Sequence, residues 1–104
     1  METRTLVFDT ETNGKRPRGK DVPLASEPAI TQIAAVLYLG RRPVSHLSTF
    51  VQPLDGQGNP ATIPTEQFFI DSGITQETVD AAGLPLKTGL AMFNQMVKNA
   101  DRIV

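Results

Sequence analysis

The chain has 104 residues, no cysteine, 39% hydrophobic and 20% charged residues, and a net charge of −1. That length supports one domain, spanning 1–104, with a modest core. The composition excludes disulfides and thiolate zinc sites, and the near-neutral balance excludes a polybasic mode of nucleic-acid binding. No apolar run approaches the ~20 residues of a membrane span. The start, Met1-Glu2-Thr3-Arg4, carries no signal-peptide pattern. The expectation is a cytoplasmic protein with no membrane partner.

Residues 4–9 read as a first strand. Leu6, Val7 and Phe8 are consecutively apolar, which predicts cover on both faces. Residues 13–29 read as a loop, because Gly14, Pro17, Gly19, Pro23 and Pro28 interrupt any regular element. The loop carries Lys15, Arg16, Arg18 and Lys20, which suit either a phosphate backbone or solvent. Residues 30–39 read as a long, central second strand. Gly40-Arg41-Arg42-Pro43 makes a turn, and 44–52 form a third strand, completing an antiparallel meander. Arg41 and Arg42 fall at the end of the sheet opposite the end of the first strand. His46, the single histidine, is expected far from that end too.

Helical signals follow an irregular stretch at 53–64. Thr65 can cap a helix over 66–71, and Thr75 one over 76–82 with Gly83 just past its end. Residues 86–98 read as the clearest helix, with Leu86, Leu90, Phe93 and Val97 on one stripe and Met92 and Met96 as core filler. Phe68 and Phe69 divide between core and a surface that can stack a base. Asp101-Arg102-Ile103-Val104 opens a fourth strand, which a right-handed crossover places beside the first and parallel to it. The fold class is α/β.

The chemistry concentrates at Asp9-Thr10-Glu11, which ends the first strand and leads into Thr12-Asn13-Gly14. Strand side chains alternate, so Asp9 and Glu11 share a face with Cα atoms roughly 6.5–7 Å apart. Such a pair can hold hard divalent cations. With 11 acids in the chain, chance supplies about one acid-x-acid pair. The strand before it and the glycine-bearing loop after it are what give this pair weight.

Three segments together resemble the N-terminal part of the DEDD-type, or DnaQ-like, 3′–5′ exonucleases. They are Val7-Phe8-Asp9-Thr10-Glu11-Thr12-Asn13-Gly14, Ile30-Thr31-Gln32-Ile33-Ala34-Ala35-Val36, and Ile63-Pro64 followed by Gly73-Ile74-Thr75-Gln76-Glu77-Thr78-Val79. The resemblance implies a ribonuclease H-like fold, here incomplete: a three-stranded meander, helices and the start of a fourth strand. It implies two Mg²⁺ or Mn²⁺ ions held by four acids, with Asp9 and Glu11 as the first two. Thr10, Thr12 and Asn13 fall at substrate-binding positions, partly through backbone N–H groups. The implied substrate is the 3′ end of single-stranded DNA or RNA.

The family's third acid lies in a His-Asn-x-x-Phe-Asp-like stretch after the fourth strand, and the fourth acid with its histidine or tyrosine lies later still. The expectation is therefore a piece of that domain with two of four acids, completed within a homo-oligomer or by a C-terminal polypeptide. The alternative is a non-catalytic nucleic-acid-binding or assembly module pairing through an open sheet edge. A glycosidase is disfavoured by the absence of Trp and the presence of one Tyr. Exposed apolar surface is expected near Leu6, Val7 and the 86–98 helix.

Overall fold

A computed structural model describes residues 2–14, 28–65 and 67–104, with the Phe68 side chain outside that description. The elements run β1 (Arg4–Thr12), β2 (Ile30–Leu39), β3 (Arg42–Gln52), α1 (Gln67–Asp71), α2 (Gln76–Ala82), β4 (Leu84–Pro85), α3 (Leu86–Asn99) and β5 (Arg102–Ile103). They make a mixed five-stranded sheet in the order β4-β3-β2-β1-β5. The expected meander is present, with β1–β2 and β2–β3 antiparallel. The returning strand lies parallel to β1, with Thr5 opposite Arg102. The two-residue β4, parallel to the end of β3, was not expected from the sequence. It is too short to show a period.

β2 explains the core. Thr31, Ile33, Ala35 and Leu37 are buried, while the residues between them are only half-buried. The strand thus hides one face, not two. On that face Leu6, Leu47, Val51 and Met96 complete the main cluster, with Leu86, Phe93, Val97 and Ala100 of the α3 region packed on it. The expected helix stripe needs correction. Leu90 is exposed, whereas Gly89 and Met96 are buried. Hydrophobic spacing located the helix, but the close approach of Gly89 to the sheet set its rotation. Met96 is core filler as expected, whereas Met92 is largely exposed.

The expectation that β1 is covered on both faces is also corrected. Leu6 is fully buried, but Val7 and Phe8 are 42% and 41% exposed. Phe8 still meets Phe93, with ring centroids 5.3 Å apart. Val7 points to the opposite face, against which α3 does not pack. Apolar exposure near Val7 and on α3 agrees with expectation, but Leu6 does not contribute to it.

A second, smaller cluster of Ile63, Phe69, Ile74 and Val79 gathers against Phe50. Thr75 caps α2 as expected, its hydroxyl accepting from the Thr78 N–H at 3.2 Å, and Gly83 closes it by donating to the Val79 carbonyl at 2.8 Å. Helix α1 begins at Gln67; the Glu66 position in the expected range lies outside the described residues. Gly40 turns the chain from β2 to β3 at φ +62°, a conformation that suits glycine. Asp55 organises the loop after β3. Its carboxylate accepts from the Asn59 and Gln57 N–H groups, which hold it below the usual carboxylate range. At the other edge, Arg4 and Asp101 pair at 3.0 Å and tie β5 to β1.

Two substitutions test this core. A Cβ at Gly89 would lie 2.6 Å from Val51 Cγ1, on a stiff and fully buried side chain. Gly89→Ala gains about 1 kcal/mol of helix propensity but costs about 1–3 kcal/mol in overpacking, so a urea melt shows net destabilisation. Among the described residues, the buried Thr31 hydroxyl has no hydrogen-bond partner. Thr31→Val keeps the shape and removes that orphan, and the same melt shows a gain of about 1 kcal/mol.

Candidate metal-binding site

The side chains of β1 sort onto the two faces of the sheet. Leu6, Phe8 and Thr10 lie opposite Leu37, Ala35 and Ile33 on the face that α3 covers. Val7, Asp9 and Glu11 lie opposite Val36, Ala34 and Gln32 on the other face. Directly paired residues share a face, so the sequence argument for Asp9 and Glu11 carries over to the folded sheet. Asp9 is exposed and Glu11 half-buried. Both look out from the face opposite α3, roughly 6.5–7 Å apart at Cα. Ala34, the residue paired with Asp9, is small and leaves that carboxylate unobstructed.

The row that holds Glu11 continues through Gln32 to Phe50, where the second cluster begins. The acids therefore share their face of the sheet with Phe50, two strands away, against which the α1–α2 cluster packs. A register shift between Glu11 and Thr12 marks where β1 leaves regular pairing with β2. The strand extends to Thr12, three residues past the expected end, so both acids belong to a strand rather than to a loop.

The three positions next to the acids are placed differently from one another. Thr10 is exposed and belongs to the α3 face by alternation, so its hydroxyl points away from the carboxylates. Its backbone N–H is the group left for a ligand. The Thr12 hydroxyl donates to the Gly14 carbonyl at 2.7 Å. Asn13 clasps three segments. Its N–H donates to the Ala29 carbonyl at 3.0 Å, its Oδ1 accepts from the Ala29 N–H at 2.8 Å, and its Nδ2 donates to the Thr62 carbonyl at 3.1 Å. Asn13 thus fixes the exit of β1 against the entry to β2 and the segment leading to Ile63. No spacing rule distinguishes an asparagine that clasps backbone from one that meets a substrate.

The basic residues Lys15, Arg16, Arg18 and Lys20 lie outside the described residues. Arg41 and Arg42 stand at the opposite end of the sheet from Glu11, as expected. His46 is exposed and pairs with Val36, so it shares the acids' face. It stands two strands over and one row back from Asp9, at a Cα separation of roughly 12 Å. Phe69 is core. A shallow hollow of about 350 Å³ lies between β3 and α3, bordered by Leu47, Met92 and Met96 among others. It is on the α3 side of the sheet and so belongs to a different surface from the acids.

In kind, the donor set fits a hard divalent cation, because both groups offer carboxylate oxygens. In number it falls short, because among the described residues no three His, Cys, Asp or Glu side chains stand together. Among these residues, too, no helix is long and apolar enough to cross a membrane.

The clasp yields a prediction. Asn13→Ala removes two side-chain hydrogen bonds and leaves the Ala29 N–H without its acceptor. It costs about 1–3 kcal/mol in a denaturant melt and speeds hydrogen exchange at Ala29. Asn13→Asp retains the Oδ1 acceptor and restores protection at Ala29, but not the bond to Thr62.

Comparison of the chain with protein-family models, with curated proteins and with solved structures found no match to any of them.

Proposed function

We propose that this chain supplies the first two metal-binding carboxylates of a two-metal 3′–5′ exonuclease, hydrolysing phosphodiesters at the 3′ end of single-stranded DNA or RNA. The observation that carries this reading is the placement of Asp9 and Glu11 on one face, opposite α3, at the end of β1. The three-segment resemblance to DEDD-type exonucleases supports it, as does the return of β5 parallel to β1.

The residues have distinct tasks in this reading. Asp9 and Glu11 hold Mg²⁺ or Mn²⁺ from one side. The bound ions would supply an acidified water and charge stabilisation for the departing 3′ oxygen. Ala34 keeps the floor beneath Asp9 low. Asn13 fixes the turn after Thr12, so the strand end keeps its direction. Thr10 and Thr12 contact the terminal nucleotide through backbone N–H groups. Two carboxylates leave Mg²⁺ most of its waters, so binding by this chain alone is weak. The remaining acids come from outside the described residues, from a second copy or from another polypeptide.

The test is degradation of 5′-labelled single-stranded DNA and RNA in Mn²⁺, with Mn²⁺ binding followed by electron paramagnetic resonance. Stepwise 3′ shortening that Asp9→Ala abolishes is the expected outcome for a completed site. Mn²⁺ binding that Asp9→Ala weakens at least about tenfold, without shortening, is expected for the chain as a half-site. Equal Mn²⁺ binding by wild type and Asp9→Ala, with no shortening, overturns the proposal.

A further inference from the structure

Asn13 is followed by Gly14. A glycine brings no side chain to shield its nitrogen, and its backbone bends into conformations that other residues resist. An asparagine in front of it is therefore open to attack by its own main chain. In the folded chain the Asn13 amide is held at both ends. The Ala29 N–H only donates and the Thr62 carbonyl only accepts, so the amide has one orientation, Oδ1 to Ala29 at 2.8 Å and Nδ2 to Thr62 at 3.1 Å. The hold extends further, because the Thr62 carbonyl and the Ile63 N–H belong to one peptide group. That N–H donates to Oε1 of Gln76, the first residue of α2, at 2.9 Å, and Nε2 of Gln76 donates to Oδ1 of Asp80 at 2.8 Å. Asn13 thus grips one side of a peptide group whose other side Gln76 grips. Amides in such a chain polarise one another, so losing Gln76 weakens the bond to Asn13.

We propose that Asn13 is a site of spontaneous deamidation gated by this relay, modified only when the clasp opens and unable to re-form it afterwards. The Gly14 nitrogen bonds to Cγ of Asn13, the Cγ–Nδ2 bond breaks, and ammonia leaves with the proton that the Gly14 nitrogen gives up. Water then adds to either carbonyl of the cyclic imide and opens it, leaving aspartate or isoaspartate at position 13. One water is consumed, one ammonia is released, and nothing is oxidised or reduced. The Ala29 N–H polarises the Cγ–Oδ1 bond, which by itself favours attack. Closing the imide, however, makes Cγ tetrahedral and turns it toward Gly14, so the amide cannot keep both of its partners. Two side-chain hydrogen bonds leave it free roughly one time in ten or less.

The modification runs one way. Either product lacks the Nδ2 donor and sets a carboxylate oxygen against the Thr62 carbonyl, two acceptors with no proton between them. Isoaspartate also adds a methylene to the main chain between Thr12 and Gly14. The exit of β1 then loses its tie to Thr62, and with it the link through Gln76 to α2. The proposal stands independently of the metal-binding reading of Asp9 and Glu11.

Peptide mapping by mass spectrometry tests this. The full chain is held at mildly alkaline pH, native and in guanidinium chloride, and the gain of about 1 Da at Asn13 is followed with time, isoaspartate being identified by fragmentation. In the native wild type the reaction is at least about tenfold slower than in denaturant. Gln76→Ala removes the far grip on the Thr62–Ile63 peptide group, and its native form deamidates at least about threefold faster than wild type. Gly89→Ala acts on the packing of α3 against Val51, away from the clasp, and stays within about twofold of wild type. Equal rates in the native chain and in denaturant overturn the gating, as does a Gln76→Ala rate no greater than that of Gly89→Ala. An Asn13 that gains no mass even in denaturant overturns the site itself.

Discussion

The side-chain alternation of β1, read against a sheet that α3 covers on one side, is the constraint on which everything else depends. Leu6 and Phe8 go down toward α3, while Val7, Asp9 and Glu11 go up. A one-residue slip in the β1–β2 register would exchange the two sets, burying carboxylates under α3 and exposing Leu6. The register is held because Leu6, Ile33, Ala35, Leu37 and Leu47 form one continuous buried patch. The same packing that hides the core thus fixes where the acids stand.

The site is built by a division of labour along a short stretch of chain. Apolar residues up to Phe8 anchor the strand, the acids follow on the opposite face, and Asn13 then pins the chain as it leaves the sheet. The Asn13 clasp matters because it spans three segments far apart in sequence. It gives the strand end a fixed exit without covering the acids. The second cluster around Phe50 does similar work from the other side, holding α1 and α2 near the same end of the sheet. Rigid elements therefore carry both carboxylates, the arrangement that positions functional groups best.

Much of this was legible in the residues. The meander, the cap at Thr75, the stop at Gly83 and the returning parallel strand all follow from local rules. The pairing of Asp9 with Glu11 on one face follows from the two-residue period alone. Other features required packing. Leu90 satisfied the helical stripe as well as Leu86 did, yet it is exposed, because Gly89 allows the helix to approach Val51 at a rotation that turns Leu90 away. Val7 read as interior because it sits in an apolar run, but covering an element takes a second layer, and α3 packs on one side only. Asn13 read as a ligand contact, and its hydrogen bonds to Ala29 and Thr62 depend on two segments that no spacing rule brings together.

By itself, then, the sequence determined which residues are strand and helix over most of the chain, and that Asp9 and Glu11 point the same way. Those properties depend on neighbours a few residues apart, and local sterics and periodicity settle them. Only the tertiary structure decided which face of β1 lies against α3, how α3 is rotated, and that a two-residue β4 pairs with the end of β3. Those depend on contacts between distant segments, where a missing Cβ at Gly89 outweighs any local preference.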